Sequence, residues 1–60
     1  MNDKLKAIEI LSANPILSDV NFKNDLERWT KIRDFVEDNH AELPKHEQAK
    51  LIGNLMSTHV

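Results

Sequence analysis

The chain has 60 residues, of which 8 are basic and 10 acidic, and it contains no cysteine. This length is enough for one small domain, residues 1–60, and folds of this size usually need disulfides, a metal or a partner chain in addition to their core. The lack of cysteine excludes disulfides and thiolate zinc sites. The net charge of −2 argues against a domain whose main task is to grip nucleic-acid phosphates.

No apolar run approaches the roughly 20 residues that a membrane-spanning helix requires. The first residues also lack the apolar stretch of a signal peptide. Because cysteine is absent as well, we expect a cytoplasmic protein without a membrane segment.

The spacing of apolar residues predicts an all-α, compact three-helix domain, with helices at about residues 3–13, 22–40 and 44–57. The pair Asn14–Pro15 should end the first helix and can begin a short extra turn at 15–18. The first helix carries apolar residues over a wide arc, which predicts burial on two sides: Leu5, Ala7, Ile8, Ile10 and Leu11. We also expect four apolar residues after it to fold onto the core: Ile16, Leu17, Val20 and Phe22.

The second helix has the strongest pattern. Asn24 and Glu27 resemble a capping box, in which the Asn side chain accepts from a backbone N–H and the Glu reaches back. Glu27 and Lys31 are spaced as a stabilising i, i+4 pair. The predicted buried face consists of Leu26, Trp29, Ile32 and Val36, with Phe22 and Phe35 beside it.

The third helix is predicted to begin at Pro44, since proline suits a first-turn position. Gly53 lies near its buried stripe and should permit close approach of another helix. We expect residues 57–60 to fray. The stripe itself is predicted to consist of Ala49, Ile52, Leu55 and Met56, with Leu51 at its edge.

No catalytic motif is present: the serines are isolated and a single glycine cannot form a phosphate-binding loop. We therefore predict that the protein is not an enzyme. His40, Glu42 and His46, with Asp38 nearby, are metal-binding residue types, but their spacing matches no zinc pattern. The sequence thus predicts no metal and no cofactor, and His40 is better explained as a polar residue at a helix C-terminus.

The second and third helices could also form a helix-turn-helix, in which helix 44–57 would contact DNA. Acidic residues lie where phosphates would approach, and no basic stripe is present, so the sequence argues against nucleic acid as a partner. The candidate base-contacting residues are Lys45, His46, Gln48, Lys50 and Asn54.

Two features favour a protein partner of unknown identity. Acidic residues near the end of the second helix oppose the helix dipole, so local stability does not explain them, although they could simply be a solvated face: Asp34, Glu37, Asp38 and Glu42. The helices also carry a large amount of apolar surface, which either fills the core or forms a surface for self-association as a homo-oligomer. The candidate residues for that surface are Leu5, Ile8, Phe22, Trp29 and Phe35.

Three-helix folds occur in many unrelated proteins, so the fold does not supply the function. The leading hypothesis is a small non-catalytic protein–protein interaction or regulatory module that acts as a homodimer. The alternatives are a small helix-turn-helix-like DNA-binding protein and an oligomerisation domain of a larger protein.

Overall fold

The computed structural model describes residues 3–58. Three α-helices form the fold: α1 (Asp3–Ala13), α2 (Asp25–Asn39) and α3 (Lys45–Ser57). Two 3₁₀ turns, Pro15–Leu17 and Asp19–Asn21, lie between α1 and α2. The prediction of an all-α fold with three helices is confirmed, and so is the short turn after Pro15.

Asn14 ends α1 and starts the segment that follows. Its side-chain Nδ2 donates to the carbonyl of Ile10 at 2.8 Å, which satisfies one of the last carbonyls of the helix. Pro15 then occupies the first position of a 3₁₀ turn, where its missing N–H costs nothing. The turn ends at Leu17, so the predicted range 15–18 was one residue too long.

Helix α2 begins at Asp25 and not at residue 22, because Asn24 caps it. The Asn24 Oδ1 accepts from the backbone N–H of Glu27 at 2.9 Å, and the backbone of Asn24 is extended. The second 3₁₀ turn and Phe22 therefore belong to the connecting segment, which we define as residues 14–24. The helix ends at Asn39, and the N–H of His40 donates to the carbonyl of Val36 at 2.8 Å.

Helix α3 begins one residue later than predicted, because Pro44 has an extended backbone and is the capping residue. The Pro44 carbonyl accepts from the backbone N–H groups of Glu47 and Gln48, both at 3.0 Å. At the other end, Thr58 is buried and its Oγ1 donates to the carbonyl of Asn54 at 2.7 Å. Ser57 is the last residue of α3, and the fraying predicted for residues 57–60 stays a prediction, with residues 59 and 60 outside the described range.

Helix α3 packs against both α1 and α2, and the first 3₁₀ turn packs against α1 and α2 as well. Every element except the second 3₁₀ turn therefore contributes to one core. Its buried residues are Ala7, Leu11, Leu17, Ile32, Val36, Leu51, Ile52 and Leu55. Four partly buried residues pack against that cluster: Ile10, Phe35, Leu43 and Met56.

Several residues predicted to be buried are exposed instead. Helix α1 buries Ala7 and Leu11 but leaves Leu5 at the surface, because its neighbours α3 and the first 3₁₀ turn cover only one side of it. Burial on two sides was therefore wrong for α1. Ala49 of α3 is exposed as well, and the stripe on that helix consists of Leu51, Ile52 and Leu55.

The buried face of α2 is rotated by roughly 50° from the predicted one, taking 100° per residue. It contains Arg28, Ile32 and Val36, one residue per turn along the same row. Leu26 lies on the outside and Trp29 is at the boundary, with 38% of its surface exposed. In the structure, Arg28 is therefore buried, whereas Leu26 and Trp29, both predicted to lie in the core, are exposed.

Arg28 is 2% exposed, and its guanidinium donates to backbone carbonyls of two other segments. Nε donates to the carbonyl of Leu17 at 2.9 Å, Nη1 to that of Met56 at 3.0 Å and Nη2 to that of Leu55 at 3.0 Å. The carbonyls of Leu55 and Met56 belong to the final turn of α3, where carbonyl groups have no backbone N–H of the helix to accept from. This turn also carries the negative end of the helix dipole, which favours a cationic donor. Arg28 thus joins α2, α3 and the connecting segment.

Gly53 does not serve close helix packing, because a methyl group built on it meets nothing within 4 Å. Since glycine weakens a helix interior, Gly53→Ala should raise the free energy of unfolding by about 0.5–1 kcal/mol. The reverse change at exposed Ala49 of the same helix should lower it by a similar amount. Urea denaturation followed by circular dichroism measures both, and a loss of stability in Gly53→Ala would contradict the prediction.

Candidate interaction surface

The connecting segment presents large apolar side chains to solvent. Ile16 is 73% exposed and Val20 is 85% exposed, whereas Leu17 between them is buried in the core. In a 3₁₀ turn, successive residues point about 120° apart, so burying Leu17 directs Ile16 away from the core. The prediction that this segment folds all its apolar residues onto the core is therefore wrong for Ile16 and Val20.

The segment is held in place by side chains that bond to its backbone. Besides the bond from Arg28 to the carbonyl of Leu17, the Asn21 Nδ2 donates to the carbonyl of Pro15 at 3.0 Å. The second bond links the two 3₁₀ turns to each other. Ile16 and Val20 therefore project from a backbone that is fixed at both turns.

Two shallow grooves border the segment. The α2 groove, of about 310 Å³, lies between the segment and α2 and is lined mainly by apolar surface from Ile16, Leu17, Asn21, Phe22, Glu27 and Lys31. The α1 groove, of about 370 Å³, lies on the α1 side and is lined by Leu11, Ser12, Pro15, Ser18, Val20 and Asn21. Together the grooves make residues 15–22 a ridge that carries the exposed Ile16 and Val20, with a depression on either side.

The five residues predicted for self-association do not form one patch. Phe22 lines the α2 groove, whereas Phe35 lines a separate depression that also contains Ile10 and His40. The Arg33 guanidinium carbon lies 5.1 Å from the centroid of the Trp29 ring, a cation–π contact. Of the other two residues, Leu5 is exposed and Ile8 is partly buried, both on α1.

The acidic residues predicted as a partner surface are all exposed: Asp34, Glu37, Asp38 and Glu42. Asp34 lies 3.5 Å from Arg33 Nη2, and Glu42 lies 3.9 Å from His40 Nδ1, so both pairs are loose. Within residues 3–58, no cation lies within 4 Å of Glu37 or Asp38. Nothing in the fold therefore offsets their unfavourable position near the end of α2.

The candidate metal ligands are not brought together. His40 is the C-terminal cap of α2 and lies against the ring of Phe35, with 6.0 Å between centroids, while His46 pairs with Glu47 at 3.3 Å. In the part of the chain that the structure describes, no group of three or more metal-binding side chains is assembled. The same part contains no helix with the length and apolar character needed to cross a bilayer.

The residues proposed to read DNA are partly engaged within the protein. The Gln48 Nε2 donates to the carbonyl of Leu43 at 2.9 Å, so its amide holds the turn before α3. His46 and Lys50 both lie near the Glu47 carboxylate, at 3.3 and 3.9 Å. In this conformation the Gln48 amide is therefore not free to contact a base, and the Glu47 carboxylate partly offsets the charge of Lys50.

Sequence reasoning missed Ile16, Val20 and Arg28 for different reasons. Nothing in a short apolar segment indicates which of its side chains turn inward, because that depends on the helices beside it. Arg28 did leave a signal: it precedes Ile32 and Val36 at intervals of four residues, in the row that the helix buries.

The chain matches no protein-family model, no curated protein and no solved structure.

Proposed function

We propose that this chain is a non-catalytic protein–protein interaction module that binds its partner through the connecting segment. The observation that carries the proposal is the exposure of Ile16 and Val20, 73% and 85%, on one short segment. A single exposed aliphatic residue is ordinary. Two on one ridge, with an apolar groove on either side, give a partner both a projection and a depression to pack against.

The supporting bonds strengthen the proposal. Interface residues that are already ordered lose less conformational entropy on binding than mobile ones. The bonds from Arg28 and Asn21 to the backbone of the segment provide that order before any partner arrives. The segment is thus suited to contact without a folding step.

A matched pair of substitutions tests the proposal. Ile16 and Leu26 are 73% and 72% exposed, but Leu26 lines neither groove. We expect Ile16→Gln to reduce binding at least about tenfold, since an apolar interface residue often contributes more than 1 kcal/mol. Leu26→Gln should bind like the unchanged protein. The measurements are self-association by light scattering and capture of partners from the native host by each immobilised variant.

Circular dichroism of both variants confirms that the fold is kept. Equal binding by the two variants would contradict the proposal, because it would show that the connecting segment makes no essential contact. An oligomerisation domain of a larger protein would use the same surface and give the same result. A DNA-binding function would instead appear as a salt-sensitive shift of duplex DNA that neither substitution affects.

A further inference from the structure

One face of α2 carries a row of exposed charges beside the α2 groove. Glu27, Lys31, Asp34 and Asp38 follow one another at intervals of four, three and four residues, which places them on one side of the helix. The first two also form one wall of the α2 groove, opposite Ile16 and Phe22. The row and the groove therefore make one continuous surface.

Glu27 and Lys31 do not pair with each other as their spacing predicts. No ion pair within 4 Å joins them, or either of them to another residue between 3 and 58. Two opposite charges thus lie one helical turn apart at the edge of an apolar groove. A second helix that runs in the opposite direction would present the same two charges in reversed order.

We infer that this surface binds a second copy of the chain, with the two α2 helices antiparallel and Glu27 of each against Lys31 of the other. A two-fold axis between the copies makes both contacts at once, as in any isologous dimer. The same axis brings the apolar grooves and the two Ile16 side chains together. This arrangement rests on the proposed function, because it names the partner that the connecting segment contacts.

The charges select both the direction and the register. A parallel pair would place Glu27 against Glu27 and Lys31 against Lys31, so it is disfavoured. An antiparallel pair shifted to match Lys31 with Asp34 would place Glu27 opposite Asp38, again like against like. The register centred between Glu27 and Lys31 also places Asp34 level with the N-terminal cap of the partner helix, where the dipole favours an acidic group.

The size of the surface is adequate for a dimer. A standard interface takes about 800 Å² from each partner, roughly one fifth of the 4251 Å² that this chain exposes. The α2 face and the connecting segment together include three of the five elements of the fold, namely α2 and the two 3₁₀ turns. Binding in the micromolar range is expected for such a contact, since area alone does not give high affinity.

Charge reversal tests the arrangement by sedimentation velocity and light scattering over concentrations up to about 100 μM. Glu27→Lys alone and Lys31→Glu alone should each weaken self-association at least about tenfold, because each creates two like-charge contacts. An equimolar mixture of the two variants should form a mixed dimer, since every contact is then between opposite charges. Isotopic labelling of one variant identifies the mixed species by mass.

Matched controls carry the same charge changes elsewhere. Glu37→Lys lies on α2 but about 100° from the row, and Lys45→Glu lies at the start of α3. Both should self-associate within about twofold of the unchanged protein. Placing both reversals on one chain, Glu27→Lys with Lys31→Glu, should restore the homodimer.

Three results would overturn the arrangement: a monomeric unchanged protein over the whole range, unchanged association of Glu27→Lys, or failure of the two variants to form a mixed dimer. The first would leave the proposed function standing if Ile16→Gln still loses a different partner. The other two would show that copies associate by another surface. The proposed function itself would be contradicted if Ile16→Gln weakened neither self-association nor the binding of any other partner.

Discussion

Replacing Arg28 with methionine is expected to lower the free energy of unfolding by about 2–4 kcal/mol. Methionine keeps most of the side-chain volume but cannot donate, so four backbone carbonyls lose their guanidinium partner, the one of Thr58 from a long contact of 3.5 Å. Hydrogen bonds to a charged donor typically contribute about 1.5–3 kcal/mol each. Part of the lost hydrogen-bond free energy is offset, because the methionine variant no longer has to bury a charge.

The expected loss is large for a chain of this length. A 60-residue domain has a total stability of roughly 3–9 kcal/mol, so the variant should lose a large share of it. Urea denaturation followed by circular dichroism and tryptophan fluorescence gives the difference. Arg28→Lys should recover only part of it, since one ammonium group cannot reproduce the planar arrangement of the guanidinium donors.

Arg33→Met is the matched control, because it makes the same chemical change on the same helix. Arg33 is more exposed and makes only a 3.5 Å contact with Asp34 and the contact with the Trp29 ring. Its Nε is buried and has no hydrogen-bond partner among residues 3–58. The control should therefore change stability by less than about 1 kcal/mol, and equal effects of the two substitutions would contradict the role given to Arg28.

The second large effect is expected at Ile32, which is fully buried at the centre of α2. Ile32→Ala removes three carbon atoms from the core and should lower the free energy of unfolding by about 2–5 kcal/mol. The loss combines the transfer of apolar surface with the cavity that three short helices cannot close. Thermal and urea denaturation both measure it.

Leu26→Ala provides the comparison on the same helix. Since Leu26 is exposed and leucine and alanine are both good helix formers, its effect should stay within about 0.5 kcal/mol. The sequence pattern had placed Leu26 and Ile32 on one buried face, so comparable losses at both positions would support that pattern against the structure.

The helices were predictable because their boundaries depend on local chemistry. Asn24 caps α2 with its own side chain, and Pro15 and Pro44 lie where a helical N–H is not needed. The choice of buried face depends on what packs against each helix, and local spacing contains no such information. This explains why α2 was assigned a face that included Leu26 and omitted Arg28.

The candidate surface was less predictable than the fold. The apolar content of the chain left open whether its hydrophobic residues fill the core or form a surface, because their placement depends on the path of the connecting segment. Ile16 and Val20 had been assigned to the core and are exposed. Phe35 had been placed both beside the buried face and among the candidates for self-association, and it packs against the core. Leu17 is buried in the core and its carbonyl accepts from Arg28, and this position of Leu17 directs Ile16 outward.

Arg28 has a further consequence for how the protein opens. Its four bonds span sequence separations of 11 to 30 residues, so the connecting segment and the C-terminal end of α3 depend on one side chain of α2. Detaching either region breaks the guanidinium bonds to that region and admits water to a side chain that is buried in the fold. Amide hydrogen exchange should therefore show both regions opening together with α2, as a single cooperative unit.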